Sequence, residues 1–336
     1  MEYKNTKKEP FVSVLLVTRN ERSCLEQALN SLLNQTYPKE KYEIIIVDGL
    51  SEDGTADRVC ELINEYGKKG YDIRLLYNKK RILASGWNLG IQNARGDYVV
   101  RIDAHAKAEK DFIEKSVKTI LTVEDSVCVG GKLITRSMED DCDVVSKILS
   151  SPFGVGNSSF RISNTPGYAD TAVYGLYKKK IFEQVGYFDE FYVRNQDIEI
   201  HSRIKKAGGK FYFNPEIKCV YYTRNTVKKM AKQAFENGKW NMVLLKNGRN
   251  ALSLRHLIPF GFVMYLIVSS VMGLWKKWIW KIEGYVILLH IIMGVRAALE
   301  KTKKMTEIIV MPILFLILHL SYGVGYIAGI FIKRET

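Results

Sequence analysis

The sequence predicts an α/β fold: a mostly parallel sheet with helices on both faces, followed by apolar C-terminal helices. Three observations carry that expectation. Short runs rich in Val and Ile alternate with helical repeats over residues 11–135. Two of those runs end on an aspartate, Asp48 and Asp103, and in an open parallel sheet ligands bind beyond the carboxyl ends of the strands. The first 250 residues have the mixed composition of a soluble domain, whereas the remainder is markedly apolar.

Taken in order, strands are predicted at 11–18, 43–48, 72–77, 97–102 and 126–133. Leu25, Leu29, Leu32 and Leu33 repeat at helical spacing after the first strand, and Val59, Leu62, Ile63 and Tyr66 after the second. This βαβ rhythm is what makes the sheet parallel. Ser51 to Thr55 is a polar turn in which Asp53 or Thr55 caps the second helix. Residues 136–170 are less regular. A helix is expected at 138–149, then a long loop marked by Gly154, Gly156, Asn157 and Pro166-Gly167, of the kind that clamps substrates. A strand through Ala172-Val173-Tyr174, a helix from Ile181 and a helix over 198–206 closed by Gly208-Gly209 follow. Strands at 210–214 and 218–222 and an amphipathic helix over 226–245 complete the polar part.

Three apolar segments come last, at about 257–275, 282–299 and 307–332. Their length and scarcity of charge read as membrane helices, the alternative being a buried soluble helical domain. Both connecting loops are basic, so the positive-inside rule gives no clean topology, and one segment is open to an interfacial or hairpin reading. The chain thus divides into a catalytic domain over 1–225, a basic juxtamembrane segment over 226–256 and membrane helices over 257–336. Between His201 and Arg255 there are 13 Lys and Arg against Glu216 and Glu236, most of the chain's net charge of +14. Such a stretch suits an anionic lipid surface, at roughly 1 kcal/mol per lysine; a solvated basic face is the plain alternative. No nucleic-acid module accompanies the charge, so no nucleic-acid partner is expected. Cys24, Cys60, Cys128, Cys142 and Cys219 form no Cys-x-x-Cys pair, which argues against a zinc cage or disulfide scaffold and suits a reducing compartment. The Phe11–Val17 run is short and broken by Ser13, a strand and not a signal sequence.

Three acids suggest chemistry. Asp48 sits where acids in nucleotide folds accept hydrogen bonds from a base or ribose, or else it is a turn aspartate. Asp103, with His105 two residues on, offers oxygen and imidazole to Mg²⁺ or Mn²⁺, although Asp-x-His alone is a weak signal. Asp197, at the start of a helix, suits a general base for a sugar hydroxyl, or simply an N-cap.

Taken together and in order, these residues resemble family 2 of the inverting glycosyltransferases, with their Rossmann-like GT-A fold, over about residues 11–250. The resemblance rests on Val17-Thr18-Arg19-Asn20-Glu21, on Val47-Asp48-Gly49 through Asp53-Gly54-Thr55, and on Ala84-Ser85-Gly86-Trp87-Asn88 through Gly96-Asp97-Tyr98. Asp103-Ala104-His105 stands in place of the family's Asp-x-Asp, and Asn195-Gln196-Asp197 in place of its Glu-Asp base motif. Within the family the chain is most similar to succinoglycan-type exopolysaccharide transferases. It shares with them the Asp-Ala-His variant, Gly175 to Lys178, Ala207 to Lys210, and the series Gln233, Phe235, Gly238, Trp240.

The resemblance implies an inverting hexosyltransferase of polysaccharide biosynthesis that uses a nucleotide-diphosphate sugar, a UDP-sugar first. Its acceptor would be a polyprenyl-diphosphate-linked glycan, and its place the cell membrane with the catalytic domain in the cytoplasm. Asp197 would be the base. Thr18, Glu21, Asp48, Arg81 and Asp103 would bind the nucleotide sugar, Asp103 and His105 would hold Mg²⁺ or Mn²⁺, and Gln233 and Trp240 would meet the acceptor. Trp240 reads equally well as a helix residue buried against the membrane segments. His105, Gln196 and Gly49 each replace an acid common in the family. Two other readings stay open: a polyprenyl-phosphate glycosyltransferase, whose acceptor needs little base catalysis, and a non-catalytic membrane-anchored nucleotide-sugar binder.

Overall fold

The computed structural model describes residues 9–137, 144–156, 158–223, 226–248 and 251–334. The chain divides into two compact units. The first comprises Met1–Ile134, Ser163–Val193 and Arg203–Tyr221; the second comprises Thr135–Ile162, Arg194–Ser202 and Tyr222–Thr336.

The first unit is built on a sheet whose parallel half consists of β1 (Val12–Thr18), β2 (Tyr42–Asp48), β3 (Ile73–Tyr77) and β4 (Tyr98–Asp103). Every residue of β2 and nearly every residue of β1 is buried, as expected of continuous apolar runs covered on both faces. Helices α1 (Arg22–Leu33), α2 (Thr55–Gly67), α3 (Leu83–Asn93) and α4 (Phe112–Thr122) connect or flank these strands. The other half is antiparallel and uses β5 (Ala106–Ala108), β6 (Ser126–Ser137), β7 (Gly167–Ala169), β8 (Leu176–Lys178) and β9 (Lys210–Thr223). The strand order is β3-β2-β1-β4-β8-β6-β9-β5, with β7 on β9, so the sheet is mixed.

Four local expectations need correction. The strand expected through Tyr174 lies later, at β8; Tyr174 has a φ of 45°, in the left-handed region outside regular strand geometry. The two strands expected at 210–214 and 218–222 are one, β9, paired with β7 at one end and β5 at the other. Strands β5 and β7 were not expected, since three residues show no periodicity. Of the helix expected at 138–149, residues 138–143 lie outside the described residues, and 144–149 form α5 (Val144–Leu149). The expected loop contains α6 (Pro152–Val155) and α7 (Ser159–Ile162), while Asn157 lies outside the described residues. Helices α8 (Lys180–Val185) and α9 (Gln196–Lys206) follow as expected.

At the amino end of the sheet, Glu43 is fully buried and accepts from Ser13 Oγ at 2.6 Å, the Arg95 N–H at 2.7 Å and the Arg74 guanidinium. Burial pushes this carboxyl up, but the bonds from Ser13, Arg95 and Arg74 outweigh it and hold it below its ordinary value. A lowered folded value means stability that is present above the unfolded carboxyl range, near pH 4.3, and lost as pH falls through the folded value. Glu43→Gln is therefore expected to cost about 1–3 kcal/mol at neutral pH. Its melts should also show a shallower loss of stability on acidification than the parent, and an unchanged acid limb would contradict the assignment.

The second unit carries α10 (Val227–Lys246), α11 (Leu254–Gly273), α12 (Trp278–Leu299) and α13 (Met305–Gly329). Thr226 caps α10 by accepting from the Lys229 N–H at 3.2 Å. The last three helices are long and apolar enough to cross a membrane, and they match the three segments expected to within a few residues. A buried cluster that includes Ile148, Met230, Ala234, Met311, Phe315 and Leu318 ties α5, α10 and α13 together.

Candidate active site

Strands β1, β2 and β4 end level: the register sets Thr18 beside Asp48 and Val17 beside Asp103. Because β2 lies on one side of β1 and β4 on the other, the loops leaving them part at β1 and leave a crevice there. A cleft of about 220 Å³ opens at this point, lined by Thr18, Glu21, Asn78, Arg81, Asp103 and His105. A larger cleft of about 950 Å³ lies at the amino ends of β1 and β4, beside Phe11 and Tyr98. Strand-end chemistry favours the smaller one.

Within it, Thr18 is buried, and its Oγ1 has no hydrogen-bond partner among the described residues. A buried hydroxyl facing a cleft without a partner is suited to a ligand. Asp103 closes β4 with one oxygen engaged: Oδ2 accepts from the Tyr174 hydroxyl at 3.0 Å. Burial, followed by the charge of Asp103, raises the Tyr174 hydroxyl well above its ordinary value, so it keeps its proton and donates. Tyr174 is buried, with a left-handed backbone, and no sequence pattern signalled its bond to Asp103. His105 packs edge-on against Tyr221, with ring centroids 4.8 Å apart, and its Nδ1 lies 3.8 Å from a Glu21 carboxylate oxygen. Glu21 is held in turn by its N–H, which donates to Thr55 Oγ1 at 3.1 Å.

Asp48 is placed differently from the other expected ligands. It is fully buried, and both its oxygens accept from Ser51, Oδ1 from the hydroxyl at 2.6 Å and Oδ2 from the N–H at 2.9 Å. It thus folds the 48–51 turn, while the next residue, Gly49, lines the cleft. Asn78 does similar work for Arg81 and was missed in the sequence. Its Nδ2 donates to the Ile82 carbonyl at 2.8 Å, and its Oδ1 accepts from Ser85 Oγ at 2.9 Å, closing the turn in which Arg81 takes a φ of 58°.

The second unit holds Asp197, Gln233 and Trp240. Asp197 lies in the first turn of α9, past the cap position, and accepts from the Ile198 N–H at 2.9 Å. Asn195, two residues earlier, has a φ of 58°, which asparagine tolerates better than most residues. Its amide donates to the Asn237 carbonyl at 3.1 Å and to Asn241 Oδ1 at 2.7 Å, and Asn241 donates to the Tyr322 hydroxyl at 2.6 Å. The start of α9 is thereby fixed to α10 and α13, a connection absent from the expectations. Gln233 is half-buried on α10. Trp240 is 7% exposed, so its ring belongs to the packing of that helix and is no surface platform for a sugar.

Two of the cleft's residues suit a divalent cation. Tyr174 takes one oxygen of Asp103 and leaves the other, and His105 lines the same cleft. Among the described residues no three His, Cys, Asp or Glu side chains form a cage. That donor set fits a cation shared with substrate phosphates and water, the usual manner of Mg²⁺ at phosphate sites.

Over residues 13–186, a little more than half of its length, the sequence matches the family described as Glycosyl transferase family 2. The chain belongs to this family. Among its relatives is the Methanococcus voltae dolichyl N-acetyl-alpha-D-glucosaminyl phosphate 3-beta-D-2,3-diacetamido-2,3-dideoxy-beta-D-glucuronosyltransferase, 31% identical over 330 residues, 97% of this chain and 99% of that protein. Succinoglycan biosynthesis protein ExoA of Rhizobium meliloti is 28% identical over 73% of each chain. The mannosyltransferase PcManGT from Pyrobaculum calidifontis, solved with GDP-Man and Mn²⁺, superposes with a TM-score of 0.61 at 17% identity, over 94% of this chain and 88% of that one. This family 2 member is a glycosyltransferase, and its first unit has the GT-A fold.

Proposed function

We propose that this glycosyltransferase moves a sugar from a nucleotide-diphosphate donor, UDP-linked in the first instance, to a polyprenyl-linked glycan, with inversion at the anomeric carbon. The observation that carries the reading is the convergence of Thr18, Glu21, Arg81, Asp103 and His105 on one cleft at the carboxyl ends of β1 and β4. The Methanococcus voltae relative, named for a dolichyl-phosphate-linked sugar and similar along nearly the whole chain, supports a lipid-linked acceptor. The three apolar helices support an enzyme that works where such lipids reside; on this proposal the first unit lies in the cytoplasm.

In this scheme the cleft binds the nucleotide diphosphate, with Thr18 Oγ1 donating to it and Arg81 beside it. A divalent cation held by Asp103 and His105, Mg²⁺ or Mn²⁺, would neutralise the departing diphosphate. Asp197 accepts the proton of the acceptor hydroxyl, whose oxygen forms the new bond to the anomeric carbon as the bond to the diphosphate breaks. Gln233, on α10, is the residue proposed to meet the acceptor.

The test is a panel of nucleotide sugars with Mn²⁺ or Mg²⁺ and a polyprenyl-linked N-acetylglucosamine acceptor in detergent. Nucleotide diphosphate release should require both the metal and the lipid-linked sugar, and the product should have inverted configuration. A product of retained configuration would refute single displacement.

A further inference from the structure

We propose that α11 and α12 alone cross the bilayer, as a hairpin, and that α13 stays at the surface from which the chain enters α11. The C-terminus then returns to that same side. Among the described residues before Leu254, no helix is long and apolar enough to cross a membrane, so everything up to α10 shares one side. Both ends of α13 are tied to that part of the chain. Near its start, Glu307 forms an ion pair with Lys147 of α5. At its end, Lys246 of α10 donates to the carbonyls of Ile330 and Ile332. Between them, the Tyr326 hydroxyl donates at 2.9 Å to the His256 carbonyl in the first turn of α11. A helix whose two ends are held on one side does not span.

The partner along its length points the same way. Backbone meets backbone between α10 and α13: Gly238 lies against the Tyr322 carbonyl, Gly325 against that of Phe235 and Gly329 against that of Lys239, with no room for a Cβ at any of them. Helix α10 carries Lys228, Lys229, Lys232, Glu236 and Lys239. If α13 spanned, it would draw these charges to bilayer depth, where they are strongly disfavoured.

The hairpin has the opposite character. Its arms of 20 and 22 residues are each about 30 Å long, the thickness of a hydrocarbon core. They expose Ile267, Val268, Val271, Ile282, Leu288 and Leu289. Their polar groups near the tip are satisfied internally: Ser269 and Ser270 donate to Glu283 at 3.1 and 2.8 Å, and Trp280 Nε1 donates to the Ser270 carbonyl at 3.1 Å. The tip itself exposes Trp275 and Trp278 among Lys276, Lys277 and Lys281, a mixture of aromatic and basic side chains suited to the headgroups of a far leaflet.

Sidedness can be read in intact cells with a membrane-impermeant maleimide. Exposed Cys60 reports the side of the first unit. Lys276→Cys reports the tip and Lys333→Cys the C-terminus, each in full-length protein with Cys60 and Cys142 replaced by serine. Lys333→Cys is expected to match Cys60, and Lys276→Cys to be labelled from the opposite face. Labelling of Lys333→Cys from the same face as Lys276→Cys would mean three spans and overturn the proposal. Labelling of all three from one face would place the hairpin in the membrane plane and overturn it equally. A reporter fused to the C-terminus of the unaltered chain gives a second measurement that requires no cysteine substitution.

Discussion

Asp103→Asn is expected to lower turnover by about 10²–10³-fold with little change in melting temperature. The substitution keeps the size of the side chain, and the amide oxygen still accepts from Tyr174, now at 3.0 Å from the carboxylate. What is lost is the charge and the second oxygen, which becomes an amide nitrogen facing the cleft. The loss should therefore appear in kcat and in the concentration of Mn²⁺ needed for half-maximal rate, and raised Mn²⁺ should recover part of the activity. Tyr174→Phe makes the complementary change, leaving the charge and removing the hydroxyl that orients it. Groups that orient a metal ligand are commonly worth about 10–100-fold in affinity or rate, so this variant should fall between the parent and Asp103→Asn. Full activity of Asp103→Asn in a folded protein would end the metal assignment.

How much of this was legible depended on whether a residue's role is fixed by its neighbours in sequence or by its neighbours in space. β1, β2 and β4 could be read because runs such as Tyr42–Asp48 are buried on both faces, and an unbroken apolar run signals that directly. Asp103 and His105 stood out because they end and follow such a strand, whereas Thr18, Glu21 and Arg81 were indicated only by the family resemblance; all five line one cleft. Tyr174 could not be read that way. Its use rests on a left-handed backbone and on an aspartate 71 residues earlier, and neither leaves a periodic trace. Asp48 was visible as a strand-end acid, but its turn with Ser51 decides what its oxygens do. In the tail, lengths and hydropathy revealed α11, α12 and α13 as apolar helices. They said nothing of α13's close contact with α10, because Gly325 and Gly329 acquire meaning only once Phe235 and Lys239 lie across from them. For Trp240 the sequence allowed both a buried and an acceptor-facing reading, and only the helix packing favours the buried one.

Asp197→Asn should be the second severe loss, about 10²–10⁴-fold in kcat, the usual worth of general-base catalysis, with donor KM nearly unchanged. The local structure makes this a clean substitution. The bond from the Ile198 N–H can pass to the amide oxygen, and the start of α9 remains held through Asn195, Asn241 and Tyr322. What disappears is the capacity to take a proton. An acceptor that arrives already ionised needs none, which yields a test of substrate class in the same variant. If Asp197→Asn is inactive toward a lipid-linked sugar hydroxyl but retains its rate toward a polyprenyl phosphate, Asp197 is the base for a hydroxyl acceptor, which speaks against the phosphate as the natural one. If both rates are intact, Asp197 is not the base and the proton must go elsewhere. Asn241→Leu provides the positional control: it removes the acceptor for Asn195 and the donor to Tyr322 while leaving the Asp197 carboxylate in place. It should lower kcat by less than Asp197→Asn does. Added to the Asp197→Asn background it should cost little more, since positioning a base matters only while there is a base to position.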